Sequence, residues 1–318
     1  MNNSLISIIL VNWNTKQLLL QCLESIYKDC KHLNVEIIVS DNASTDGSAE
    51  AVETNYPEVR LIKNRTNLGF ALGNNVAIKK AKGEYICLVN TDVEVTGNCF
   101  PQLIHFMDAN PKCGIVGPKV LNGDNSHQIS TRRDLTLLGT LARTFWLDYI
   151  FPGITFYPIN KIQSVDVLGG CFWVIRRRAL EQVGLLDDTF FFYGEDRDYC
   201  KRMRNNGWTI IYYPMAQIYH YQGSSSSKKD PFRYYLLLEN ASLLYWKKHC
   251  PNFTYSLYVF LRVLYHFLRI TSNGFIFFLS FGKVGRAKIK SLRSWYCIQK
   301  LLKNEDTLPE ISVASNIP

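Results

Sequence analysis

The sequence predicts an α/β fold in which a mostly parallel central sheet is flanked by helices and followed by a basic helical tail. Over the first 95 residues, apolar stretches of strand length alternate with stretches of helical periodicity, which is the pattern of parallel βαβ units. After residue 223 the chain becomes rich in lysine, arginine and aromatic residues. We therefore expect a catalytic domain over 1–223 and a linker with a basic, amphipathic helical region over 224–318.

Composition limits the class of protein. The chain has 318 residues, of which 47% are hydrophobic and 20% are charged, as in globular proteins. Its nine cysteines are odd in number and form no C-x-x-C pair, so the spacing favours neither a zinc site nor a disulfide framework. A reducing compartment is the better expectation. No basic segment precedes the first apolar stretch, so the sequence predicts no signal peptide and a cytoplasmic protein.

The first half contains four predicted strands and three helices between them. The strands are 5–13, 35–44, 59–64 and 84–95, and the helices are 16–28, 45–56 and 73–83. Right-handed crossovers would place the strands side by side in parallel. Ligands of such sheets bind beyond the carboxyl ends of the strands, so the polar residues that follow each strand are the candidates for a site.

The second half is less regular at first. Residues 120–164 predict a polar, loop-rich segment, and residues from 165 onward predict a strand, a glycine turn, a second strand and a helix. A further helix is expected over 196–207, and a pair of strands is expected around Pro214. The serine-rich segment 224–229 predicts a linker.

The basic tail indicates an anionic partner. Between residues 228 and 303 there are fourteen Lys/Arg and two Asp/Glu, an excess of twelve in a chain whose net charge is +9. Its helical segment 254–270 places apolar residues on one face and basic residues on the other. The apolar face holds Leu257, Phe260, Leu261, Leu264 and Leu268, and the basic face holds Arg262, His266 and Arg269.

That segment is too interrupted by charge to span a bilayer. It predicts a helix lying at an anionic membrane surface, with packing against its own domain as the alternative. The basic region contains no known nucleic-acid module, so a nucleic-acid partner is not expected.

Two polar segments predict contacts with a nucleotide. Asp41 ends the second strand and is followed by turn residues that offer oxygen acceptors to a base or a ribose, although the same composition is ordinary in turns. The segment 67–75, NLGFALGNN, would let backbone approach a diphosphate. It lacks the spacing and position of a dinucleotide fingerprint.

A third segment predicts a metal site. Asn90, Asp92 and Glu94 follow an apolar strand, and alternation puts them on one side. Carboxylate oxygens suit Mg²⁺ or Mn²⁺. A polar strand terminus without a ligand is the alternative.

The segment FFFYGEDRDYCKRM, residues 190–203, places Glu195 and Asp196 one glycine after four aromatic residues. One interpretation is a carboxylate at the edge of a half-dry pocket, where burial would raise its pKa and fit it to act as a base. The other is a helix whose first turn is stabilised by acidic side chains. The two interpretations are compatible.

Taken together, six segments resemble family-two glycosyltransferases, and in particular their bacterial rhamnosyltransferase-like and galactofuranosyltransferase-like members. They are SIILVNWN, EIIVSDNASTDGS, NLGFALGNN, GEYICLVNTDVEV, the stretch from GGCFWVIRRR to CKRMRNNGW, and IIYYPMAQIYH. They span about 5–223, and the linked set is more specific than any single motif. The resemblance implies a GT-A fold, a dTDP- or UDP-linked sugar donor, a divalent metal, and inversion at the anomeric carbon.

The resemblance also assigns donor-binding residues. Asp41 matches the acid that recognises the nucleotide base. Asn12 and Asn14 lie in the first nucleotide-binding loop, and Asn74 lies in the loop near the diphosphate. Asn90-Thr91-Asp92 occupies the place of the D-x-D metal motif, with Asn90 where the family has its first aspartate.

The same likeness implies the metal ligands and the catalytic base. Asp92 matches the acid nearest the metal, and His220 matches a histidine that completes the metal site. A lone histidine on a strand is otherwise usually a packed residue. Asp196, with Glu195 beside it, matches the catalytic base.

The expected function is that of an inverting glycosyltransferase on the inner face of the cell membrane. It would move a sugar such as rhamnose to a hydroxyl of a glycan, namely a lipid-linked precursor of a cell-surface polysaccharide. A sugar nucleotidyltransferase is one alternative, but it would need a glycine-rich loop after the first strand, which VNWNTKQ lacks. A non-catalytic membrane adaptor with the same fold is another, suggested by Asn90.

Overall fold

A computed structural model describes residues 4–191, 193–221, 231–279 and 285–303. The chain divides into two compact units, Met1–Asp134 with Pro152–Asp230, and Leu135–Phe151 with Pro231–Pro318. The short segment 135–151 therefore groups with the C-terminal helices, although the sequence around it predicts the α/β region. The predicted linker at 224–229 lies outside the described residues.

The first unit is built on one large sheet with helices packed against it. Its strands are β1 Ile6–Asn12, β2 Val35–Asp41, β3 Arg60–Lys63, β4 Tyr85–Asn90, β5 Val93–Thr96, β6 Cys113–Leu121, β7 His127–Gln128, β8 Thr131–Arg132, β9 Gln163–Ser164, β10 Val167–Leu168, β11 Phe172–Arg176 and β12 Thr209–His220. Its helices are α1 Lys16–Asp29, α2 Ser48–Asn55, α3 Gly69–Ile78, α4 Cys99–Ala109, α7 Arg177–Val183 and α8 Glu195–Asn205, with a 3₁₀ turn at Pro152–Ile154.

The order of the sheet is β3-β2-β1-β4-β11-β6-β12-β5, with β7 added to β6 and β9 added to β12. Strands β1 to β4 are parallel, β11 runs antiparallel between β4 and β6, and β12 is parallel to β6. The fold is therefore the predicted mostly parallel sheet with a mixed second half. The central strands are near-continuous apolar runs because helices cover both of their faces.

Strand register brings the predicted polar residues to one edge. Asn12 pairs with Asp41 across β1 and β2, and Val11 pairs with Asn90 across β1 and β4. Antiparallel pairing of β12 with β5 places His220 beside Val93, the residue that follows Asp92. Residues far apart in sequence thus meet where these strands end.

Three predicted elements differ from the structure. The strand expected over 84–95 is divided into β4 and β5, because β5 leaves β4 at Thr91-Asp92 to pair with β12. The helix expected over 73–83 begins already at Gly69, whose amide bonds to the Asn67 side chain at 2.9 Å. The two strands expected around Pro214 form the single strand β12, whose register shifts between Tyr213 and Gln217 because proline has no amide to donate.

The second unit is helical. It contains α5 Leu137–Thr144, α6 Leu147–Ile150, α9 Pro231–His249, α10 Asn252–Leu279 and α11 Gly285–Lys303. A buried ion pair joins α9 to α10, in which Glu239 accepts hydrogen bonds from Arg262 and lies beside His266. No helix among the described residues is both long enough and apolar enough to cross a membrane.

Candidate active site

The first strand and its neighbour form a rigid polar corner. Asn12 is fully buried, and its side-chain amide donates to Asp41 Oδ1 at 2.8 Å and to Ser44 Oγ at 3.0 Å. The second oxygen of Asp41 accepts from the backbone amide of Ser44 at 2.9 Å. A buried carboxylate needs such partners, so this corner fixes the orientation of the Asp41 side chain.

The loop after β1 is tied to the loop after β2. The Asn14 backbone amide donates to Ser44 Oγ at 2.9 Å, and the Asn14 side-chain oxygen accepts from the Thr45 amide at 2.7 Å. Asn14 adopts a left-handed conformation with φ +53, which asparagine tolerates better than most residues. Between these fixed neighbours the ring of Trp13 is 48% exposed. An exposed indole at this edge offers a flat surface on which a nucleotide base can stack.

The segment 67–75 is packed against the chain that leads to the acidic pair. The Phe70 backbone amide donates to the Phe191 carbonyl at 3.2 Å. A Cβ added at Gly69, where φ is +74, would lie 2.5 Å from that carbonyl oxygen, so only glycine fits. Asn74 is buried within α3, where its side-chain amide donates to the Phe70 carbonyl at 2.9 Å.

A row of hydrogen bonds connects the nucleotide corner to the predicted metal motif. Asn12 Oδ1 accepts from Thr15 Oγ1 at 2.8 Å, and that hydroxyl lies 2.9 Å from Thr91 Oγ1. Thr91 directly precedes Asp92. The ends of β1, β2 and β4 are therefore joined side chain to side chain.

Asp92 and His220 face each other at the end of this row. Asp92 Oδ1 lies 3.1 Å from His220 Nε2, and both side chains are largely buried. On the other side of the ring, His220 Nδ1 lies 2.7 Å from Gln128 Oε1. The Tyr221 amide also donates to the Asp92 carbonyl at 2.9 Å, which holds the end of β12 against this turn.

The network around Gln128 decides which ring nitrogen carries the proton. Gln128 Nε2 donates to Asn122 Oδ1 at 2.8 Å, and the Asn122 amide donates to Ser126 Oγ at 2.9 Å. Gln128 must therefore present its oxygen to His220, and His220 Nδ1 must donate to it. In the neutral imidazole this leaves a lone pair on Nε2 aimed at the Asp92 carboxylate.

This arrangement fits a divalent cation. An unprotonated Nε2 and a carboxylate oxygen at 3.1 Å repel each other unless a positive charge, either a second proton on the ring or a cation, lies between them. Neighbouring ligands of an octahedral ion with bonds of about 2.1 Å lie about 3 Å apart, which matches the observed separation. One carboxylate oxygen and one imidazole nitrogen also form a donor set that Mn²⁺ accepts.

The other two residues of the motif behave differently. Asn90 is half-buried at the end of β4, where its backbone amide donates to the Cys171 carbonyl at 2.9 Å. Glu94 lies on β5, and its carboxylate accepts from the Tyr221 hydroxyl at 2.6 Å. The Glu94 carboxylate is thus engaged in holding Tyr221.

The acidic pair lies at the start of α8, after Gly194, whose φ of +92 sharply turns the chain. Glu195 is buried, and its Oε2 atom has no hydrogen-bond partner among the described residues. Burial, and then the charge of Asp196, raises the pKa of Glu195 to about 8. The elevated pKa that the sequence leads us to expect at this pair therefore belongs to Glu195, whose side chain is the more buried of the two.

Asp196 is the half-buried member of the pair. Its Oδ1 atom accepts from the Arg197 backbone amide at 2.7 Å, and the N-terminus of α8 favours its negative charge. A Cβ added at Gly170 would lie 3.6 Å from the Asp196 Cβ and 3.7 Å from the Phe70 ring. A methyl group at this position would be in ordinary van der Waals contact with both, so Gly170, Asp196 and Phe70 lie side by side.

The aromatic residues before the pair do not form a uniform wall. Phe190 is buried in the core, whereas Phe191 is 55% exposed. Phe192 lies outside the described residues, and Tyr193 takes a left-handed conformation with φ +69. Phe70, from the segment after β3, also lies beside Gly170 and Asp196, which the sequence alone does not indicate.

Cys171 shows that the two acidic centres share one region. Its thiol is enclosed, and burial raises its pKa to about 12 with further contributions from the charges of Asp92 and Asp196. Both carboxylates therefore lie within electrostatic range of one sulfur atom in the turn before β11. The fold thus brings Asp41, Asp92, His220 and Asp196 to the same edge of the sheet.

Sequence reasoning missed four residues that complete this geometry: Thr15, Phe70, Thr91 and Gln128. Thr15 lies next to a segment that already predicts a nucleotide site and Phe70 lies within one, so their positions could have been suspected. Gln128 lies in a polar stretch between β6 and β8 that carries no motif. Only the pairing of β7 with β6 brings it to His220.

Comparisons with known proteins identify the family and the fold. A model of the family described as glycosyl transferase family 2 matches residues 7–184. The N-acetylglucosaminyl-diphospho-decaprenol L-rhamnosyltransferase of Mycobacterium tuberculosis is 29% identical over 216 residues, covering 62% of this chain and 69% of that protein. The dTDP-rhamnosyl transferase RfbF of Shigella flexneri is 26% identical over 260 residues, covering 78% and 82%.

Among solved structures, the mannosyltransferase PcManGT of Pyrobaculum calidifontis, in complex with GDP-Man and Mn²⁺, matches with a TM-score of 0.60 at 14% identity. The match covers 94% of this chain and 86% of that protein, and it confirms the predicted GT-A fold. Because the family model covers more than half of the sequence, the chain belongs to glycosyl transferase family 2 and is a glycosyltransferase.

Proposed function

We propose that this protein is an inverting, metal-dependent glycosyltransferase that uses a nucleoside-diphosphate sugar and transfers the sugar to a hydroxyl of a lipid-linked glycan. The observation that carries the proposal is the row of contacts from Asp41 to His220, together with the position of Asp196 beside Gly170, which directly precedes Cys171 at the end of β4. Nucleotide recognition, metal binding and proton transfer are then served by one edge of the sheet.

The donor is held from its base to its diphosphate. The nucleotide base binds at the corner of Asn12, Asn14 and Asp41, whose hydrogen bonds fix the two loops that meet the base. The diphosphate lies toward Asp92, near the segment that contains Asn74 and beside Asn90. Asp92 and His220 would hold Mg²⁺ or Mn²⁺, and the ion, when bound, would neutralise the charge that develops on the leaving diphosphate.

Asp196 is the catalytic base. The acceptor hydroxyl gives its proton to the Asp196 carboxylate as its oxygen forms the new bond to the anomeric carbon. The bond from that carbon to the diphosphate oxygen breaks on the opposite face, so the configuration inverts and the nucleoside diphosphate leaves. Glu195 is neutral below about pH 8, so it adds no second negative charge beside Asp196.

The donor sugar we propose is rhamnose on dTDP, with a UDP-linked hexose as the second choice. Support comes from two relatives whose names specify rhamnosyl transfer, and one of those names specifies a dTDP donor. The first relative's name also specifies a lipid-linked acceptor. The basic C-terminal region would bind an anionic surface, so we place the enzyme on the inner face of the cell membrane, building a cell-surface polysaccharide.

The test is a donor screen with purified protein and Mn²⁺. Slow hydrolysis of one nucleotide sugar, releasing nucleoside diphosphate, would support the transferase, and addition of a polyprenyl-diphosphate-linked sugar should convert hydrolysis into transfer. Release of pyrophosphate from a nucleoside triphosphate and a sugar phosphate would instead identify a nucleotidyltransferase. Binding of a donor without turnover of donor or acceptor would support the adaptor.

A further inference from the structure

An amphipathic helix of a soluble domain usually buries its apolar face and exposes its polar face, and α10 does the reverse. Its polar residues face inward: Arg262 and His266 pack on Glu239 of α9, and Asn273 is buried. Its outward face carries an aromatic stripe, consisting of Phe253, Leu257, Phe260, Phe267, Phe275 and Phe278. The five phenylalanines are each more than half exposed.

The spacing of the stripe places its residues on a single face of α10. Its positions advance by three, four, seven or eight residues, so they remain on one side of the helix over about 38 Å. Soluble monomers rarely leave so long a row of large apolar side chains in water, and such a row marks an interaction surface. The buried ion pair between Glu239 and Arg262 fixes this orientation, because rotating α10 about its axis would leave both charges without partners.

We infer that the aromatic stripe of α10 inserts into the interface of an anionic lipid bilayer. Charge decides between a bilayer and a second copy of the chain. The described residues of this unit carry twelve Lys/Arg and two Asp/Glu. Two such units repel each other, whereas anionic lipid headgroups attract them.

A second exposed apolar group lies in the same unit. Leu138, Tyr149, Ile150 and Phe151 are exposed on or beside α5 and α6. Helix α5 packs on α10, where the Thr144 hydroxyl lies 3.5 Å from the Leu261 carbonyl. The insertion of 135–151 into the α/β region therefore supplies this unit with a further apolar element suited to a bilayer.

The proposal rests on the membrane setting proposed above and adds which side chains enter the lipid. It predicts attachment by apolar insertion as well as by charge. Wild-type protein should therefore bind vesicles of phosphatidylcholine and phosphatidylglycerol at low salt, and high salt should weaken that binding without abolishing it.

The test uses the full chain with Phe260→Gln, Phe267→Gln and Phe275→Gln combined. We expect vesicle binding in flotation assays to fall at least about tenfold, because three aromatic rings are no longer available for burial in the lipid. Donor hydrolysis without vesicles and the thermal melting curve should be unchanged, because the three side chains are exposed. A matched control combines Ile162→Gln and Met215→Gln, which remove exposed apolar side chains of the first unit and should leave vesicle binding intact.

Three outcomes would overturn the proposal. One is equal vesicle binding by the wild type and the triple variant. Another is complete release of the wild type by salt, which would mean attachment by charge alone. The third is a wild-type dimer that the triple variant converts to a monomer without loss of vesicle binding, which would assign the stripe to a second copy. Loss of donor hydrolysis in the wild type would refute the proposed catalysis and leave this inference standing.

Discussion

His220 Nε2 lies 3.1 Å from Asp92 Oδ1, while His220 Nδ1 lies 2.7 Å from Gln128 Oε1. The histidine is thus held between an acceptor for its Nδ1 proton and a carboxylate that faces Nε2. This relationship joins the end of β12 to the turn between β4 and β5. It also gives measurable predictions for Asp92 and Gln128.

Replacing Asp92 should damage metal-dependent donor binding. Loss of a residue that only supports a metal ligand lowers metal affinity roughly 10- to 100-fold. Asp92→Ala removes a ligand itself, so the affinity for nucleoside diphosphate in the presence of Mn²⁺ should fall by more than that. Isothermal titration with and without Mn²⁺ measures this, and Glu94→Ala is the matched control, since the Glu94 carboxylate holds Tyr221. Equal losses in the two variants would mean that the metal site is misplaced.

Gln128 should tune the metal site without touching the substrate. In Gln128→Leu the ring of His220 loses the acceptor that fixes its tautomer, so Mn²⁺ affinity should fall roughly 10- to 100-fold. In Gln128→Glu the acceptor remains, and most of the affinity should be retained. Mn²⁺ binding followed by electron paramagnetic resonance, without donor or turnover, separates this role from a purely structural one. Indistinguishable Mn²⁺ affinities in the two variants would remove Gln128 from the site.

Glu195 should make the fold less stable as pH rises. Its pKa is raised from 4.5 to about 8 in the folded protein. Between these values the unfolded chain has released the proton and the folded chain retains it, so a rise in pH favours unfolding. The contribution is at most about 5 kcal/mol for a shift of this size.

Denaturant titrations of wild type and Glu195→Gln across pH 4.5–8 measure this effect. The amide cannot ionise, so stability of the variant should decline less with pH than that of the wild type. Glu181→Gln, at an exposed position of α7, is the control and should leave the wild-type slope in place. Parallel pH profiles for Glu195→Gln and wild type would contradict the assignment.

Trp13 should contact the nucleotide base. If the base stacks on the exposed indole, Trp13→Ala should weaken nucleoside-diphosphate binding by about 1–3 kcal/mol, which is about 5- to 150-fold. Quenching of tryptophan fluorescence on nucleotide addition should disappear in the same variant. Trp295→Ala, which removes an exposed indole of α11, should keep both the affinity and the quenching. Nucleotide affinity unaffected by Trp13→Ala would place the base elsewhere.

The sequence predicts the parallel strands well because their apolar runs and terminal polar residues follow from local patterning. Asn12, Asp41 and Asn90 reach one edge simply because parallel strands in register end together. The division of the fourth strand was not predictable in this way, since β5 leaves β4 only to pair with β12. That pairing joins residues more than 120 positions apart.

The tail shows a different limit. Periodicity separates the apolar face of α10 from Arg262 and His266, as expected, but it cannot tell which face is buried. The basic face was expected to meet lipid headgroups, and the structure instead packs Arg262 against Glu239 of α9. One acidic residue in a neighbouring helix decides the orientation, and no property of the α10 sequence reveals it.

The account depends most on Asp196, and single-turnover kinetics of Asp196→Asn test it most directly. The variant should bind the nucleotide-sugar donor and Mn²⁺ with nearly wild-type affinity, while sugar transfer falls roughly 100- to 10,000-fold, as loss of a general base requires. Asp188→Asn, in the segment between α7 and α8, is the control and should transfer sugar at the wild-type rate. Transfer by Asp196→Asn at the wild-type rate, with donor bound as before, would contradict the assignment of the base.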